Sequence, residues 1–185
     1  MRNIFKQGKW RMRKRSVDWA EYQGLVAKIC RDITLSGWRP DYVVGITRGG
    51  LVPAVMISQY FEVPCNTLKV QLRDGDECES NLWMAEDAYG YKVEEGGSYK
   101  NILIVDDIND SGATLNWIME DWQSSCIPDD PAWEQDIWNS NVKFAVLFDN
   151  LASKCKTKMD FVGEEVNKAE NDIWIDFPYE DWWTK

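Results

Sequence analysis

The 185-residue chain contains no histidine. That absence excludes Ser-His and Cys-His nucleophilic pairs and any imidazole general base, so proton transfer falls to Asp, Glu, Lys, Tyr or water. Zinc sites built on Cys and His fail with it. Cys30, Cys65, Cys78, Cys126 and Cys155 are odd in number, widely spaced and form no Cys-x-x-Cys pair, and they read as reduced thiols in a reducing compartment. No long apolar run is present and no basic-apolar-small segment opens the chain, which points to a cytoplasmic protein with no membrane span. Bases are scarce beyond residue 15. The first fifteen residues hold Arg2, Lys6, Lys9, Arg11, Arg13, Lys14 and Arg15 and no acid, leaving 14 of the 21 bases against all 31 acids. A body that acidic repels nucleic acid, so the arm reads as a solvated tail or a strap on an acidic neighbour.

What is there is organised around Ile102-Leu103-Ile104-Val105-Asp106-Asp107-Ile108-Asn109-Asp110-Ser111-Gly112-Ala113-Thr114-Leu115. Its first four residues form an apolar, largely β-branched run that suits a strand buried on both faces of a parallel sheet. Two carboxylates follow, where open α/β sheets place their ligand crevice. The small residues and hydroxyls Ser111 to Thr114 then precede a helical pattern holding Leu115, Ile118, Met119 and Trp122. Unpaired N–H groups at a helix start, aided by the helix dipole and by hydroxyl donors, make a phosphate cradle. A second strand-turn-helix unit runs from Asp41 to Ile57 through Thr47-Arg48-Gly49-Gly50, with Pro53 in the first helical turn. Its glycine turn and the Arg48 guanidinium imply a second anion site. A magnesium-binding α/β module of another kind also carries acids after a strand, but it leaves this second turn unexplained.

The rest of the chain frames these units. At this length one domain is expected over 16–185, after the basic arm 1–15. Residues 16–36 predict an amphipathic helix with Ser16 as N-cap, closed by Gly37. Strands are expected at 66–72, 142–148 and, more briefly, 159–163. Residues 73–100 break the rhythm and predict a long flexible loop, and 126–141 reads as an insertion without assignable chemistry.

The two turns, with the Trp174-Ile175 ending, resemble type I phosphoribosyltransferases, closest to the xanthine-guanine and hypoxanthine enzymes. Asp110 directly before Ser111-Gly112 matches the 6-oxopurine branch. The resemblance implies an α/β fold: an open, mainly parallel sheet flanked by helices with a small hood or loop region. It also implies transfer of a 5-phosphoribosyl group from phosphoribosyl diphosphate (PRPP) to N9 of guanine, xanthine or hypoxanthine, in purine salvage. Pyrophosphate and a nucleoside monophosphate are the implied products, Mg²⁺ the cofactor and a homodimer or homotetramer the assembly. On this basis Asp106 and Asp107 grip the ribose hydroxyls, with Asp107 the main metal contact and Glu180 a secondary one. Ser111, Gly112, Ala113 and Thr114 hold the 5-phosphate, and Thr47, Arg48 and Gly49 the pyrophosphate, with a cis peptide near Thr47-Arg48. Asp110 accepts the N7 or N9 proton. In the C-terminal segment 164–185, Trp174 stacks on the base and the Ile175 main chain reads its edge. Asn150 stands where the family carries a lysine for O6, which opens the choice of base. Two other readings fit the same motifs: a non-catalytic PRPP-sensing regulator, and a phosphoribosyltransferase for another base.

Overall fold

Continuous apolar runs at 42–46, 102–105 and 142–148 cannot be half-exposed, and the chain buries all three side by side. The computed structural model describes residues 13–71, 77–78, 81–90 and 99–184. In chain order these give β1 (Arg13–Ser16), α1 (Trp19–Ser36), β2 (Tyr42–Thr47), α2 (Leu51–Phe61), β3 (Cys65–Gln71), β4 (Glu77–Cys78), α3 (Leu82–Tyr89), β5 (Ile102–Asn109), α4 (Ala113–Ser125), β6 (Val142–Asn150), β7 (Phe161–Val166) and β8 (Ile173–Asp176). Six strands form one sheet in the order β4-β3-β2-β5-β6-β7, parallel except for the short antiparallel β4. β1 and β8 form a separate parallel pair. Among the described residues no helix is long and apolar enough to cross a membrane.

The sheet separates two apolar layers. On one face α3 and α4 pack around Val44, Leu68, Ile104, Trp122, Trp133 and Phe144. On the other, α1, α2 and the β8 segment pack around Val43, Ile57, Leu103, Leu147, Phe148 and Phe177. Each such side chain, fully buried, contributes about 1.5–3 kcal/mol of transfer free energy. The expected α/β sheet with flanking helices is therefore what the chain forms.

Several local expectations change. Ser16 does not cap α1: it lies in β1 and donates to Asp176 Oδ2 at 3.3 Å, while Asp18 Oδ1 accepts the Glu21 N–H at 2.8 Å and is the N-cap. Gly37 does close the helix, at φ 73°. Within 73–100, α3 forms and buries Met84, Ala85 and Ala88; the remainder of that stretch, apart from β4, Asn81, Gly90, Tyr99 and Lys100, lies outside the described residues. Inside 126–141 a π-helical turn, Trp133–Ile137, drives Trp133 and Ile137 into the core. Of the basic arm, residues 13–15 are described and do form a strap: the Arg15 guanidinium donates to both Glu164 oxygens at 2.7 and 2.6 Å and to Glu21 at 2.7 Å, over the Phe148 ring.

Candidate active site

Parallel neighbours end on the same side of a sheet, so the turns after β2 and β5 emerge together. Thr47-Arg48 is a cis peptide, Thr47 is half-buried at the end of β2 and Arg48 is exposed. Gly49 lies directly on Asp107: a Cβ there would collide with the carboxylate. β5 does not stop before the acids, because β6 continues to pair with it through Asn109↔Asp149. Asp106 and Asp107 therefore belong to the strand, on opposite sides of it, and Asp106 Oδ1 accepts the Asp107 N–H at 2.9 Å. Asp106 is half-buried. Tyr179, from the C-terminal segment, donates its hydroxyl to Asp107 Oδ2 at 2.7 Å, with the Gly49 carbonyl at 3.4 Å. Burial pushes the Asp107 carboxyl above the ordinary carboxylate range, against the opposing pull of the Tyr179 hydroxyl. Burial and the facing carboxylate push Tyr179 up as well, so it stays a donor.

The second turn is held from behind. Gly112 sits at φ 85° and a Cβ there would run into the Cys155 main chain. The Lys154 N–H donates to the Ser111 carbonyl at 3.0 Å, and Asn116 at the start of α4 bonds Lys154 and Lys156 main-chain groups. Ser111 and Ala113 are exposed and Thr114 half-buried at the helix start, with the Ala113 N–H on Ser111 Oγ at 3.3 Å. The geometry suits an anion at the N-terminus of a 13-residue helix.

Asp110 does not face solvent alone: the Lys168 ammonium, from the β7–β8 loop, meets it at 2.8 Å. Asn150 is 7% exposed and its amide is turned to the protein. Its Nδ2 donates to the Asp110 carbonyl at 2.8 Å, and its Oδ1 accepts the Ala152 and Lys168 N–H groups at 3.1 and 3.0 Å. Trp174, at 36% exposure, stands on β8 beside the strap, while the Ile175 side chain is buried against the sheet. Glu180 Oε2 faces the Phe177 N–H of its own turn at 3.4 Å. The C-terminal segment is thus tied to the site twice, through Lys168 and Tyr179. Neither residue stands out in the motifs. Lys168 does have a signal, being the one base among the residues from Met159 to Thr184, which hold eight acids.

Comparison with known proteins gives a consistent picture. The phosphoribosyl transferase domain family matches residues 18–182. A xanthine-guanine phosphoribosyltransferase of Cereibacter sphaeroides is 36% identical over 102 residues, which span 49% of this chain and 59% of that protein. One from Idiomarina loihiensis is 23% identical over 165 residues, 89% of this chain and 85% of that protein. Among solved structures, the purine phosphoribosyltransferase of Pyrococcus horikoshii superposes with a TM-score of 0.62 at 21% identity, covering 92% of this chain and 96% of that one.

Proposed function

The chain belongs to the phosphoribosyl transferase domain family, and from that premise we propose that it transfers the 5-phosphoribosyl group of PRPP to N9 of a 6-oxopurine and releases pyrophosphate. One observation carries the reading: the Thr47–Gly49 turn lies against the end of β5 that leads into the Asp110–Thr114 turn, with Gly49 on Asp107 and the Tyr179 hydroxyl against both. Two anion-binding turns with carboxylates at their junction fit a sugar carrying a phosphate at one end and a diphosphate at the other.

In this scheme Ser111 to Thr114 hold the 5-phosphate with main-chain N–H groups and hydroxyls. The Arg48 guanidinium and the Thr47–Gly49 main chain take the pyrophosphate. Asp106 and Asp107 accept from the ribose hydroxyls, which fixes C1 facing the base. The C1–oxygen bond breaks with its electron pair leaving on pyrophosphate, the N9 lone pair forms the new bond to C1, and the base proton passes to Asp110. The carboxylates also match a hard cation. Among the described residues no trio of His, Cys, Asp or Glu could cage a metal, and two acids suit Mg²⁺, which completes its shell with substrate oxygens and water. Asp107 would hold it, with Glu180 the secondary contact, and bound there it would supply positive charge to the departing pyrophosphate. Trp174 offers a ring face for the base.

The test is a base panel with purified protein, PRPP and Mg²⁺, following pyrophosphate release. Turnover with guanine, hypoxanthine or xanthine is the expected result. Retained PRPP binding with no turnover on any base would overturn it in favour of a PRPP sensor, and turnover only on a base without a 6-oxo group would move the acceptor.

A further inference from the structure

Tyr22, on the side of α1 that packs against the C-terminal segment, carries a hydroxyl that nothing above uses. The residue is fully buried, and its hydroxyl has no hydrogen-bond partner among the described residues. A buried donor left unpaired destabilises a fold, and phenylalanine fills the same space without that cost. Aromatic contacts hold the ring in place: it meets Tyr179 edge-on at 5.9 Å, Phe177 at 6.3 Å and Trp19 at 5.6 Å between ring centroids. The Asp107 carboxylate lies within electrostatic reach. After burial, the larger cause, it pushes the Tyr22 hydroxyl upward, and Tyr22 adds in turn to the rise at Tyr179.

Tyr179 offers the matching acceptor. Its one hydroxyl proton goes to Asp107 Oδ2 at 2.7 Å, and a phenol oxygen that donates can also accept. A donor without an acceptor and a phenol with accepting capacity therefore lie in ring contact, one on α1 and one on the segment after β8. Building on the PRPP site of the transferase reading above, we propose that Tyr22 is a positioning residue for Asp107. With the carboxylate engaged by PRPP and Mg²⁺, the Tyr22 hydroxyl closes on the Tyr179 oxygen and completes a chain from Tyr22 through Tyr179 to Asp107. Each hydrogen bond in such a chain polarises the next, so Tyr179 becomes a stronger donor when the carboxylate must stay ionised and aimed. The free protein carries the unpaired hydroxyl, and ligand binding pairs it. Tyr22 thus favours the bound state without touching substrate.

The experiment compares wild type, Tyr22→Phe, Tyr179→Phe and the double variant by thermal unfolding of the free protein and by calorimetric titration with PRPP in the presence of Mg²⁺. Tyr22→Phe raises the unfolding midpoint of the free protein by about 2–4 °C and weakens PRPP binding about threefold to tenfold. In the Tyr179→Phe background, which lacks the accepting oxygen, the same substitution still raises the midpoint but no longer weakens binding. Unchanged PRPP affinity in Tyr22→Phe, or an equal weakening in both backgrounds, overturns the assignment. A midpoint that falls also overturns it, because the hydroxyl is then already paired in the free protein. PRPP binding by wild type without turnover on any base overturns the transferase reading and leaves Tyr22 in place. Absence of PRPP binding by wild type overturns both.

Discussion

Removing one oxygen atom, with Tyr179→Phe, tests how Asp107 is held. The ring should stay in place, because it stacks on Phe177 at 5.5 Å and 3° and meets Tyr22 edge-on at 5.9 Å, contacts that Phe retains. What goes is a 2.7 Å hydrogen bond to a carboxylate that burial already holds above its ordinary pKa. A hydrogen bond to a charged group contributes about 1.5–3 kcal/mol, and here the lost partner is not replaced by water without rearrangement. The hydroxyl pulls the Asp107 pKa down, so the variant's Asp107 titrates higher still. The sign follows. At a pH below both folded-state values the carboxyl is protonated in wild type and variant, and the stability difference is small. It grows as pH rises through the elevated wild-type value and reaches its plateau above the variant's. Urea unfolding of both proteins from about pH 4, near the ordinary carboxylate value, to neutrality would show a loss that widens with pH. In an Asp107→Asn background, which removes the charge, the same substitution should cost markedly less, and the double-mutant cycle gives the coupling. A loss that is flat with pH, or equal in the two backgrounds, would refute the claim that the hydroxyl supports a buried carboxylate.

Three further outcomes are expected. Asp110→Asn keeps the PRPP affinity and cuts turnover, by calorimetric titration and initial rates; equal loss of both would make Asp110 structural. Gly112→Ala, forced to φ 85° with its methyl against the Cys155 main chain, loses at least about 2 kcal/mol in urea unfolding, and PRPP binding falls with it. Arg48→Ala, at an exposed position, leaves the unfolding midpoint unchanged and raises the KM for PRPP about tenfold or more, as expected for a lost charge-assisted contact.

Strand, turn and helix could be read around both loops because each signal is local. An apolar run, then glycine and small residues, then a helical period, predicts its own element without reference to the rest of the chain. Contacts across the chain could not. Tyr179 reaches Asp107 over 72 residues, and the Lys168 ammonium finds Asp110 because the residue two beyond β7 lies against Asn150 at the end of β6. Asn150 shows the limit most clearly. Its type suggests an amide offered to a ligand, but its hydrogen-bond partners are set by tertiary structure and they are main-chain groups. Ser16 fails as a cap for a similar reason, since pairing of β1 with β8 captures it before Asp18 begins the helix. Within 73–100, α3 is hidden by its surroundings: an eight-residue helix is stabilised by burying Met84, Ala85 and Ala88 rather than by propensity.

The glycine pair carries two messages that the residues alone do not separate. As a sequence, Gly49-Gly50 announces main-chain donors for an anion. In the fold both positions are also demanded by packing, since a Cβ on Gly49 would strike the Asp107 carboxylate and one on Gly50 the Val105 carbonyl. A turn that approaches a neighbouring strand this closely must lack side chains whether or not a phosphate binds it. Loss of activity on replacing either glycine would therefore say nothing about pyrophosphate. Arg48 has no such second duty, being exposed beside the same turn. The close approach still shapes the site, because it sets the main chain of the first turn directly on the Asp107 carboxylate of β5, without an intervening side chain.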